Sequence, residues 1–242
     1  MEQPLYLEHD GIKDSLVEIG VVTNYKIQHL NEILLKGLNL KYDNAFNIIP
    51  IRERKNSDNG DTIIVENAMC ASDLYKVRVT GDKICFDIVE HYTGWPDYSA
   101  FIYSCIDILK ECILDVVSVE VRYISTFDEV SIFDNVAGLI KLERYPRFAG
   151  SEFNFQFGIA GQPARHVKGA YAVVRLKNNI PDLKERSTTS VVDVQVMADL
   201  NNYDGLSRYR QNLENIHTQE KNIFFSLLSD PFIQSLKPHY AD

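Results

Sequence analysis

Hydrophobic and polar positions change period several times along this chain, and each change marks an element. Residues Ser15 to Thr23 (SLVEIGVVT) are β-rich and partly alternating, which predicts a strand. From Tyr25 the period lengthens. Ile27, Leu30, Leu34 and Leu38 recur at helical spacing with polar side chains between them, predicting an amphipathic helix that ends near Gly37 or Leu38. Arg52 to Asp61 (RERKNSDNGD) has no apolar residue to bury and contains Asn-Gly, so it reads as a mobile loop. Tyr75, Val77 and Val79 then alternate, as do Ile84, Phe86 and Ile88. The Gly81-Asp82 pair between them predicts a two-residue hairpin, with glycine placed first as the mirror-type turn prefers.

A second helix is predicted after Pro96-Asp97, with Asp97 as its cap and Phe101, Ile102, Cys105, Ile108, Leu109 and Cys112 on its buried face. In the strand that follows, Val117, Val119, Val121 and Tyr123 take the core side and Glu120, Arg122 and Ile124 the other. Ile132 to Leu142 reads as a short helix, and Glu152 to Gly158 as a strand with Phe153, Phe155 and Phe157 inward. Ala170 to Lys177 and Val191 to Ala198 are extended, separated by the polar turn NNIPDLKERSTTS. A closing helix spans Arg208 to Leu228, with Leu213, Ile216, Ile223, Phe224 and Leu227 on one face, and Pro231 stops it. Hairpin signals and one-sided alternation predict an α+β fold, antiparallel sheet with helices packed on one face. We expect a single domain over residues 1–242, whose element order allows two similar halves, 1–115 and 116–242.

The balance of 45% hydrophobic and 24% charged residues is that of an ordinary globular chain. The start Met1-Glu2-Gln3-Pro4-Leu5 lacks a secretory pattern, and no segment approaches the ~18 apolar residues of a membrane span, so a cytoplasmic protein without a membrane partner is expected. Cys70, Cys85, Cys105 and Cys112 form no C-x-x-C pair and read as free buried thiols. The net charge of −9 is unevenly spread: residues 141–186 hold nine Lys/Arg against four Asp/Glu, leaving 16 against 30 elsewhere. An acidic field of this kind disfavours indiscriminate binding to nucleic acid or anionic membrane.

Trp95-Pro96-Asp97-Tyr98, Arg122-Tyr123-Ile124 and the later Leu213 and His217 give the chain its one family likeness. It resembles a sporadically distributed family of uncharacterised prokaryotic proteins with an aromatic-rich start to the central helix, an Arg-Tyr-Ile-Asn strand and a late helix bearing Leu-x-x-x-His. Ser125 stands where that family's strand has Asn. The resemblance implies one full-length unit in a microbial cell and carries no activity or cofactor.

Among candidate sites, the glycine-bounded loop Gly161 to Gly169 offers Arg165, His166 and Lys168 as contacts for an anion such as phosphate, against the plainer reading of a solvated connection. Arg144, Arg147, Lys177, Lys184 and Arg186 would extend a basic patch, and Tyr145, Phe148 and Tyr171 could stack on bases. Trp95 and Tyr98 could anchor a partner or cover the core. His217 and Glu220 share a helix face, but no second such pair completes a metal site. Asp182 with Asp193 faintly follows a nuclease pattern of paired carboxylates. No P-loop, dinucleotide or nucleophile-turn motif occurs.

No catalytic residue, metal site or cofactor is therefore assigned, and whether the protein is an enzyme stays open. The first functional reading is a non-catalytic binding or regulatory protein whose acidic exterior engages a basic macromolecular partner. The alternative is a nucleotide- or nucleic-acid-binding module or enzyme that uses the loop around Arg165, His166 and Lys168.

Overall fold

The computed structural model describes residues 4, 6–8, 11–56, 62–89, 92–130, 153–159, 170–182, 187–200 and 205–240. The chain runs β1 (Tyr6–Leu7), β2 (Ile12–Val22), α1 (Ile27–Lys41), β3 (Asn47–Asn56), β4 (Thr62–Ala71), β5 (Tyr75–Val79), β6 (Lys83–Ile88) and α2 (Trp95–Leu109). After a 3₁₀ turn at Lys110–Cys112 it continues with β7 (Asp115–Asp128), β8 (Phe153–Ile159), β9 (Tyr171–Asp182), β10 (Ser187–Asp199), α3 (Gly205–Leu227), α4 (Asp230–Ser235) and β11 (Pro238–His239). The result is the expected α+β architecture of antiparallel sheet with helices on one side. No helix of the described residues is long and apolar enough to cross a membrane.

The fold divides into two compact units, each assembled from separated stretches of chain. The first comprises Met1–Ser15, Glu120–Asp199 and Gln211–Asp242, and the second Leu16–Val119 and Leu200–Arg210.

In the second unit the strand order is β3-β4-β5-β6-β2-β7. Phe101 of α2 stacks on Tyr75 at 4.4 Å and on Phe46 at 5.8 Å, and meets Phe86 edge-on at 6.2 Å, so an aromatic cluster joins helix to sheet. Helix α1 runs past Gly37 to Lys41 instead of stopping there. A Cβ at Gly37 would lie 2.6 Å from Ile108 Cγ2, so this glycine lets α1 approach α2 and terminates nothing. The chain leaves α1 at Asp43 and Asn44, whose φ values of 52° and 61° are left-handed.

The β5–β6 hairpin has the expected two-residue connection, since Val79 pairs with Ile84 and Thr80 N–H donates to Lys83 O at 2.8 Å. The turn type differs from expectation. Gly81 is absent from the positive-φ residues, and the Thr80 hydroxyl accepts from Lys83 N–H at 3.1 Å, closing the turn with a side chain. Asp97 likewise lies within the first turn of α2, after an uncapped Gly94, where its charge favours the positive helix end without capping an amide.

Arg52–Asn56, expected as a loop, belongs to β3 and pairs residue for residue with β4 down to Asn56↔Thr62. Its backbone pairs with β4 along one side whatever its charge, so a strand forms here without hydrophobic residues of its own. In β7 the buried side begins at Val116, then skips to Val119, Val121 and Tyr123. Val117 and Ser118 are both half-buried, so the alternation slips there and Val117 leaves the core.

The first unit orders its strands β7-β10-β9-β8. β9 and β10 pair much further than expected, from Met197↔Tyr171 to Ser187↔Asp182, with a register shift between Thr189 and Val191. Most of the supposed polar turn is thus strand, including Pro181 opposite Thr188. Tyr123 meets His217 of α3 at 6.0 Å and Phe127 meets Phe232 of α4 at 5.1 Å, placing both helices on the same sheet face. Pro231 starts a helix as well as following one, since it occupies the first turn of α4. The expected helix at Ile132–Leu142 lies outside the described residues. The same holds for the side chains of Phe153, Phe155 and Phe157.

Candidate functional site

Three places concentrate chemistry that the apolar core does not need. The first is the face of β7, β10 and β9 in the first unit that points away from α3 and α4. Alternation puts Val192, Val194 and Val196 against the helices, so Asp193 and Gln195 point to the other face, as do Glu120 and Arg122. Arg122 donates to Asp193 through Nε and Nη2 at 2.9 and 2.8 Å. Arg175 Nη1 donates to Asp193 Oδ2 at 3.3 Å and Nη2 to Gln195 Oε1 at 2.9 Å. Gln195 Nε2 then donates to Glu120 Oε1 at 2.6 Å. Hydrogen bonding and charge from Asp193 raise the Arg122 pKa further, with Asp14 and Glu120 adding to the effect. Two cations are thus met by two carboxylates. The set is electrically closed and ties three strands together, leaving no surplus charge to hold an anion.

The second place is the edge of the second unit's sheet. β3 pairs with β4 over ten residues, but β4 pairs with β5 only over Met69–Ala71. Among the described residues, no third strand joins the stretch Arg52–Asn56 with Thr62–Glu66. Ile48 and Ile49, at the base of this ribbon, are 44% and 41% exposed although adjacent strand residues point to opposite faces. Two-stranded ribbons are marginal alone and edge strands offer unpaired amides and carbonyls, so such an edge is a natural place for strand addition.

The third is a cleft of about 470 Å³ in the second unit, between the end of α2 and the start of α3. Arg210 donates to both oxygens of Asp107 at 2.6 and 2.7 Å and lies over the Tyr103 ring at 4.9 Å. Its Nε also donates to the Tyr209 hydroxyl at 3.1 Å. Asp115 Oδ1 accepts from Val116 N–H at 2.8 Å and from Leu206 N–H at 3.1 Å, capping the first turn of α3. Leu114, on the rim, is 60% exposed, and its amide donates to Val22 O at 2.8 Å.

The residues singled out in the sequence scatter over these places. Arg165, His166 and Lys168 lie outside the described residues, as do Arg144, Tyr145, Arg147, Phe148, Lys184 and Arg186. Tyr98 is fully buried and donates its hydroxyl to Phe86 O at 2.6 Å, while half-buried Trp95 meets it edge-on at 6.3 Å. Tyr171 is 46% exposed on β9. Asp182 pairs with Ser187, six residues along β10 from Asp193, or roughly 20 Å at ~3.3 Å per residue. Asp193 is moreover taken by two arginines, so the paired-carboxylate pattern does not assemble.

His217 and Glu220 do share α3, but among the described residues no three His, Cys, Asp or Glu side chains gather as metal ligands. Burial pushes the His217 pKa down to about 3 and the Glu220 pKa well above its usual range. Ser125 is buried. Sequence reading missed the arginine ladder and the cleft because each joins residues from distant stretches. Only the alternation of Asp193 with valines hinted that its carboxylate faces away from the apolar side. No family model matches this chain, and no curated protein matches it.

Proposed function

We propose that this is a non-catalytic binding protein that recruits a macromolecular partner, with β3 as the recruiting edge. The observation that carries this reading is the ten-residue β3–β4 pairing that outruns its three-residue junction with β5. A partner supplying an extended segment would complete the ladder by main-chain hydrogen bonds, and exposed Ile48 and Ile49 would give it apolar contact on both faces. The excess of 30 acidic over 16 basic residues outside 141–186 favours a basic partner, whose encounter charge would speed.

A photo-crosslinking residue at Ile48 or Ile49, introduced in the native host, tests the idea. One recurrent protein adduct from these positions, and none from exposed Glu32 on α1, is expected. Adducts that appear from Glu32 but never from β3 would refute it.

A second reading, binding of single-stranded nucleic acid, is favoured by Tyr171, which is exposed on the same β9 side as Lys177, a cation outside the arginine ladder. Fluorescence anisotropy with a labelled oligonucleotide at two salt concentrations tests it. Binding that weakens with salt and with Lys177→Glu supports this reading, and none at low salt eliminates it.

A further inference from the structure

We propose that the α2–α3 cleft of the second unit is a binding site for a small zwitterion with an apolar side chain, of the kind a free leucine-like amino acid represents. Its volume of about 470 Å³ falls in the range of small-molecule clefts, ~300–1,000 Å³. Two of its charged groups already engage each other. Arg210 and Asp107 neutralise each other through two short contacts, with the guanidinium further held by Tyr209 and the Tyr103 ring. That leaves one group of each sign. Lys110, exposed at the end of α2, makes no ion pair among the described residues. Asp115 spends Oδ1 on two backbone amides, while its Oδ2 accepts no hydrogen bond from the described residues.

Between them Leu114, Leu206 and Ile106 supply an apolar lining, of which Leu114 is 60% exposed. A ligand matching this pattern carries a carboxylate for Lys110, an ammonium for Asp115 and a hydrocarbon side chain for the leucines. A purely anionic ligand would meet the Asp115 carboxylate, and a purely cationic one would meet Lys110.

Amide chemical-shift titration of the full chain with L-leucine, leucinamide and N-acetyl-leucine tests the assignment, because the last two each lack one charge. Leucine is expected to shift the amides of Leu114, Leu206 and Ser207 saturably. Each analogue should bind about tenfold or more weakly, as loss of one charge-assisted contact implies. Lys110→Ala, a substitution at an exposed position, should keep the melting temperature and lose the preference for leucine over leucinamide. Equal binding of all three compounds, or shifts that avoid the cleft, would overturn the proposal. So would a Lys110→Ala variant that folds normally and still prefers leucine.

Discussion

Arg122 and Asp193 meet across β7 and β10 in a two-point contact, Nε to Oδ1 at 2.9 Å and Nη2 to Oδ2 at 2.8 Å. The carboxylate side chain is 7% exposed and its two arginines 30% and 28%, so the carboxylate is the buried member of the set. Asp193→Asn would leave two guanidiniums facing a neutral amide. The expected loss is about 2 to 3 kcal/mol, below the ~3–5 of a fully buried pair because the arginines keep some water. Urea denaturation midpoints measure it, and a loss under about 0.5 kcal/mol would show that the ladder is only surface decoration.

Two groups on α3 make stability depend on pH in opposite senses. Glu220 sits in the buried stripe with Leu213, Ile216, Phe224 and Leu227, and burial raises its folded-state pKa well above the usual 4.5. Stability from this group is therefore complete below pH 4.5 and is lost as pH rises above it. His217 has its pKa lowered from 6.5 to about 3, so its contribution is lost as pH falls below 6.5. Between pH 4.5 and 6.5 the two slopes oppose each other. Glu220→Gln should gain stability over wild type as pH rises above 4.5, by at most about 1.4 kcal/mol per pH unit. Denaturation midpoints from acid to neutral pH check this, and no gain at neutrality would contradict it.

Gly205 opens α3 where a Cβ would run into the carbonyl oxygen of Val116 and come 2.8 Å from Asp115 Oδ1. The obstacle is backbone, which cannot swing aside. Gly205→Ala should cost about 2 to 3 kcal/mol and lower the melting temperature, whereas Gly81→Ala, with nothing within 4 Å, should leave it nearly unchanged.

All four cysteines are buried and unpaired. Burial pushes the Cys70 thiol up to about 11 and, with the nearby Glu18 carboxylate adding, the Cys85 thiol up to about 12. Thiolate is the reactive form, so iodoacetamide at mildly alkaline pH should modify the native protein slowly and the unfolded protein at all four sites. Cys112, at 6% exposed, is expected to react first when peptides are mapped by mass spectrometry. Rapid native labelling of Cys70 would contradict its placement beneath α1.

What could be read from the sequence was whatever local spacing encodes. The leucine stripe of α1, the Phe101, Ile102, Cys105 and Leu109 stripe of α2 and the pairing of β5 with β6 carry their own periods and appear as expected, while Ile108 is only half-buried and the hairpin turn is of another type. Contacts set by a neighbouring strand were invisible. RERKN looked like a loop because its ladder partner, Thr62–Glu66, supplies what its own residues lack. The polar run after Lys177 looked like a turn because alternation says nothing about how far two strands stay paired. Gly37 looked like a helix stop because its use, room for Ile108, belongs to another helix. The ladder and the cleft were hidden for the same reason: Arg122 and Asp193 are 71 residues apart, and Asp107 and Arg210 are 103 apart.

Because β2, β7 and α3 each change unit partway along their length, neither unit corresponds to an uninterrupted reading frame. A clone stopped at Val119 would lack Leu200–Arg210, and with it the Leu206 amide that Asp115 holds and the guanidinium opposite Asp107. Dissecting this protein by gene truncation would consequently yield incomplete halves. Circular permutation or co-expression of complementary fragments is the workable route to studying either unit alone.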